Sequence, residues 1–129
     1  MKTLLLASLL SCFSIGAFAK SADVVIGDCT DTNMAIIVDA ARGAGETVPP
    51  VDSQPMRNMR DNLSQVCASI YQQGQTARGL KGITYTADQA RSSMKAAMMA
   101  NMPKNVPEAA VDRMADTATV AFMAGYQGE

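Results

Sequence analysis

"PMRNMRDNLSQVCASIYQQ", residues 55–73, decides the fold. Plotted at about 100° per residue, Met56, Met59, Leu63, Val66, Cys67, Ile70 and Tyr71 fall within one arc of about 140°. That spacing is helical. Ser53 stands where an N-cap belongs, and Pro55 is tolerated in a first turn whose N–H groups need no intrahelical partner. Cys67 lies in the middle of the apolar arc, so it is expected to face a core.

Working outward, helical spacing recurs and no alternating β-branched run exceeds a few positions. In "NMAIIVDAARGAG", residues 33–45, Met34, Ile37, Val38 and Ala41 share a face, Ile36 points elsewhere, and Gly43 and Gly45 end the helix. Being apolar on several sides, this helix is expected in the middle of the fold. The preceding "SADVVIGDC" fits an early helical turn or an extended arm. Pro49 and Pro50 make residues 46–55 a loop, and the glycines of "GQTARGLKG", residues 74–82, imply a frayed helix end or a loop. Thr86 and Gln89 form a capping box opening a third helix, which stops at Pro103. A fourth begins at "NVPE", with Asn105 as N-cap, Pro107 in the first turn and Glu108 completing a second box. It carries Val111, Met114, Ala115, Ala118, Ala121, Phe122, Gly125 and Tyr126 on one arc. The expected fold is all-α, a small four-helix domain with one disulfide, either a bundle or an irregular orthogonal packing.

The first nineteen residues hold Lys2, an apolar run from Leu4 and a small-x-small ending at Ala17 and Ala19, the pattern of a secretory signal peptide. Cleavage there leaves residues 20–129 as a single helical domain with ten basic and twelve acidic side chains. A net charge of −2 draws neither nucleic acid nor an anionic membrane, and no segment has the roughly 20 apolar residues of a membrane span. Leu9-Leu10-Ser11-Cys12 offers an alternative, since it resembles the lipobox preceding a lipid-modified cysteine. Cys29 and Cys67 remain after cleavage, and an even pair in an oxidising compartment is expected to form a disulfide. The expected location is the bacterial periplasm.

The chain has no histidine, which removes the usual general base, zinc ligand and partner for a nucleophilic serine or cysteine. Ser92-Ser93-Met94-Lys95 matches the S-x-x-K element of serine β-lactamases, but the S-D-N and K-T-G elements that accompany it are missing. Met94, Met98 and Met102 form an i, i+4, i+8 stripe. Thioethers select Cu(I), so a methionine-based Cu(I) carrier is the alternative reading. The stripe also shares its side with Ala87, Ala90 and Ala97, and methionine fills cores that are short of aromatics, so packing is the expected role. Asp28, Asp31 and Asn33 have no EF-hand spacing and are expected to cap a helix. Asn62-Leu63-Ser64 is a formal glycosylation sequon within a helix. Met99, Val120 and Met123 fall off the main apolar stripes and are the candidate protein-contact surface.

"VCASIYQQG", residues 66–74, resembles the Cys-x-x-x-Tyr-x-x-Gly stretch of small helical periplasmic immunity proteins that neutralise type VI secretion amidases. Residues 100–122 have a similar break and alanine-rich final helix, although the further cysteines of those proteins are missing. "YTADQ", residues 85–89, resembles the L-T-x-x-Q signature of helical periplasmic stress chaperones, with Tyr85 in the place of leucine. Both resemblances imply a protein partner. The expectation is a non-catalytic exported protein, without a cofactor, that binds another protein in an inhibitor, immunity or chaperone-like role.

Overall fold

The structure is a computed structural model that describes residues 21–102, 104 and 106–128. The proposed signal peptide, Cys12, Lys20, Pro103 and Asn105 lie outside the described residues. Four helices follow in order: α1 (Ala22–Gly43), α2 (Gln54–Arg78), α3 (Ala87–Asn101) and α4 (Glu108–Gln127). The fold is all-α, as the periodicity requires.

Helix α1 starts earlier than its apolar centre suggests, because the Ser21 side chain accepts from the Val24 N–H and Asp23 favours the first turn. Residues 22–29 are therefore helical, and Asp28, Asp31 and Asn33 sit inside the helix, where the capping expected of them is impossible. The buried line on α1 runs Val25, Cys29, Asn33, Ile36. Ile36 is 1 % exposed and sits in the core, correcting the face drawn through Ile37 and Val38, which are only half-buried.

Ser53 occupies the N-cap of α2, yet its side chain makes no capping bond and its hydroxyl oxygen is buried without a partner. Pro55 in the first turn sets that end. Val66 is 52 % exposed, so the arc read from the sequence is too wide on that flank. The helix runs through Gly74 to Arg78, so the frayed end or loop expected over residues 74–82 begins only at Gly79. A Cβ at Gly74 would collide with the Phe122 carbonyl oxygen, and one at Gly125 with that of Tyr71. The two glycines thus let the backbones of α2 and α4 touch, and the tertiary contact repays their poor helix propensity. The C-x-x-x-Y-x-x-G spacing becomes three consecutive buried positions: Cys67 in the disulfide, Tyr71 in the core and Gly74 at the crossing.

The Thr86–Gln89 capping box opens α3 as expected. Pro107, not Asn105, takes the N-cap position of α4, with no side-chain capping bond, and Glu108 reaches Lys95 instead of closing a box. Ten of the residues in α4 are buried, against Ala90 alone in α3. The middle of the fold is consequently α4 and not α1: α1, α2 and α4 pack on one another, while the α3 backbone lies against α4 alone among the described residues and reaches the clusters shared with α1 and α2 only through side chains. The Cys29–Cys67 disulfide joins α1 to α2 with Cα atoms 6.0 Å apart. It is packed among Val25, Tyr71, Ala121 and Ala124, and the Asn33 amide donates to both sulfurs at 3.6 and 3.7 Å.

Candidate functional site

Since α1, α2 and α3 cover three sides of α4, the fourth side faces solvent. Val120 stands there, 68 % exposed. With half-buried Met123 it lines a cleft of about 490 Å³ between α4 and α1, alongside Val25, Thr32 and Asp116. Met123 also packs against the cluster of Ala77, Ala90 and Phe122. Met99, 51 % exposed on α3, lines none of the clefts described here. Two of the three expected contact residues are thus brought together, and the third is on another helix.

A seam of ion pairs joins α3 to α4. Arg91 bonds Asp116 and Asp112, and the Lys95 ammonium lies 2.7 Å from Asp112 and 3.1 Å from Glu108. Hydrogen bonding to Lys95 holds the Asp112 carboxyl below the ordinary carboxylate range, and bonding to Asp112 and then Glu108 raises Lys95. A lysine held protonated in this way opposes the general-base role that S-x-x-K chemistry requires. Ser92, its sequence partner, is exposed on the helix.

The methionine stripe divides between two clusters. Met94 packs against Ala90 and Phe122, with its sulfur 4.0 Å from the Thr119 hydroxyl, whereas Met98 and Met102 pack against Ile36, Ala110 and Met114. All three are half-buried, and Ala87 and Ala97 are exposed, so the buried face of α3 is narrower than its composition suggests. Asp31 pairs with Arg60 of α2. Among the described residues no group of three or more His, Cys, Asp and Glu side chains is arranged to hold a metal ion. Asn62 is exposed in mid-helix.

Sequence reading missed a groove between α2 and α3. Because the backbones of these helices both lie against α4 and not against each other, a cleft of about 540 Å³ opens between them and a second of about 460 Å³ continues it along α2, the two sharing Gln73, Tyr85 and Phe122. Tyr85 meets Phe122 edge-on, with centroids 5.6 Å apart and planes at 73°, and its backbone N–H donates to the Tyr126 hydroxyl. A signal was present: residues 62–77 carry no charged side chain, although much of that stretch faces solvent.

Compared with protein-family models, curated proteins and solved structures, the chain finds no match. The resemblances of residues 66–74 and 85–89 therefore rest on those short stretches alone, and in the fold both are accounted for by packing and capping.

Proposed function

We propose that this chain is an exported, non-catalytic helical protein of the bacterial periplasm that binds another protein, in an inhibitor, immunity or chaperone-like role. The observation that carries this reading is the α1–α4 cleft, where Val120 is 68 % exposed beside Met123 on the solvent side of the most buried helix. An apolar side chain held out on a rigid helix, next to a concavity, matches the anchors on which protein interfaces depend. The leader-like first nineteen residues support export. Both remaining cysteines are in a disulfide, the chain has no histidine and Lys95 is kept charged, which supports binding over catalysis.

The test is capture of partners from periplasmic extract by residues 20–129, followed by photocrosslinking from position 120 and affinity measurement. Val120→Asp should keep the fold and weaken the crosslinked partner about tenfold or more. An undiminished affinity would remove the cleft from the reading. A tight stoichiometric Cu(I) site lost in Met94→Ala, Met98→Ala and Met102→Ala variants would replace protein binding with copper handling.

A further inference from the structure

The α2–α3 groove has a property the other clefts lack. Every side chain lining its two compartments is uncharged at neutral pH, whereas the remaining clefts carry Asp28 and Asp116, Asp39 and Arg113, or Glu46. Charged residues make up 18 % of the chain, so their exclusion from a wide solvent-facing groove needs a cause. Burial is not that cause, since Gln72 and Gln73 of α2 and Gln89 and Ser93 of α3 are all exposed.

We propose that this groove binds an uncharged peptide segment in extended conformation, with apolar side chains at alternating positions. The proposal goes beyond the reading built on Val120, which lies in a different cleft. Three features specify this ligand. The walls offer carboxamides from both helices, Gln73 facing the cleft that Gln89 also lines and Gln72 beside Gln73 in the adjoining compartment, and a carboxamide both donates and accepts, as a peptide unit does. Gln89 uses its oxygen on the Thr86 N–H, leaving its amide hydrogens to donate to a carbonyl. A bound helix would satisfy its own N–H and C=O groups and ignore these walls, whereas an extended segment presents both.

The floor supplies the second feature. Phe122 spans both compartments, with Leu80 and Ala77 in one and Met94 and Ala97 in the other. Such surfaces take bulky hydrocarbon; the C–H face of a neutral sugar would cover the Phe122 ring and leave the aliphatic Leu80 and Met94 flanks unfilled. Third, the compartments share Gln73, Tyr85 and Phe122 as their common boundary. An extended chain sends residues i and i+2 to the same side, roughly 7 Å apart, so two successive inward side chains enter the two compartments while the backbone crosses Gln73. A charged residue at either position would be desolvated without a partner, which accounts for neutrality as the selection rule.

The experiment titrates ¹⁵N-labelled protein, residues 20–129, with acetylated and amidated pentapeptides carrying Leu, Phe or Met at the second and fourth positions and Ser elsewhere. Saturable shifts are expected at residues 69–97 and at Phe122, with an affinity indifferent to salt between about 50 and 500 mM. Replacing either apolar residue of the peptide with Lys should abolish binding. Gln73→Glu, at an exposed position that the fold tolerates, should weaken binding about tenfold, and Val120→Asp should leave it unchanged. Three results overturn the proposal: no saturable shifts in the groove, equal binding of the Lys-substituted peptides, or occupation of the groove by chitotriose in preference to the peptides. A protein partner that is lost in Val120→Asp and retained in Gln73→Glu would separate the two surfaces, and without peptide binding it would leave the reading based on Val120 standing alone.

Discussion

The two sides of α4 are held by different means. Toward α1 and α2 it meets a glycine-to-glycine crossing, a fully buried disulfide and Val25, Tyr71 and Ala121. Toward α3 it meets Ala90, half-buried methionines and a partly exposed row of ion pairs. Close packing and a covalent link make the first side a single cooperative unit. The second side rests on partial burial and on charges that water and salt screen, which puts α3 at the low end of local stability. The peptide groove proposed above has its rigid wall on α2 and its yielding wall on α3.

The largest expected effect comes from cutting the clasp. A Cys29→Ala, Cys67→Ala double variant should lose about 4 kcal/mol in urea unfolding, the chain-entropy value for a loop of this size closed across a separation of 38 residues. Thiol labelling of the unfolded, unreduced wild type should find neither Cys29 nor Cys67 free, and labelling at both would remove the clasp from the comparison. Next comes Gly74→Ala, which forces a methyl group against the Phe122 carbonyl and should cost about 3 kcal/mol through overpacking. Wild-type stability in that variant would mean that α2 and α4 do not cross at these glycines.

Smaller effects belong to the α3 side. Met98→Ala, at a half-buried site, should cost about 1–2 kcal/mol, below the range for emptying a fully buried methionine site. A loss as large as that of the cysteine variant would make the two sides equal. The ion seam gives a direction in pH. Asp112 is lowered in the folded state, so its contribution is present above the ordinary carboxylate range and lost as pH falls through its depressed value. Lys95 is raised, so its contribution is present below the ordinary lysine value and lost as pH rises through the raised one. Hydrogen exchange of α3 should accelerate first at both extremes and at high salt, ahead of α2, and simultaneous acceleration would contradict a separable α3. Ser92→Ala, at an exposed position, should change stability by no more than about 0.5 kcal/mol.

Much of this was legible before any coordinates. The periodicity of residues 55–73 implied a helix with Cys67 inward, and Cys67 is 0 % exposed. The Thr86–Gln89 box and the arc of α4 through Gly125 were equally readable, because capping and amphipathicity are local codes written within a turn or two of chain. The misreadings share one cause. Gly74 looked like a breaker, Ile36 like an outlier and Asn33 like a cap, and each takes its role from a residue distant in sequence: Phe122, Met114 and Cys67. The groove was missed because Gln73, Tyr85 and Phe122 come from three separate segments.

By itself the sequence determined the helices, the inward cysteine and the absence of histidine, since hydrophobic period, capping chemistry and residue inventory are properties of a short stretch or of the composition. Which helix became the centre, how closely two backbones met and where a charge-free groove opened were decided only by the tertiary structure. Those outcomes depend on α2 and α3 sharing α4 with their backbones held apart, a relation among segments that no single stretch of the chain encodes.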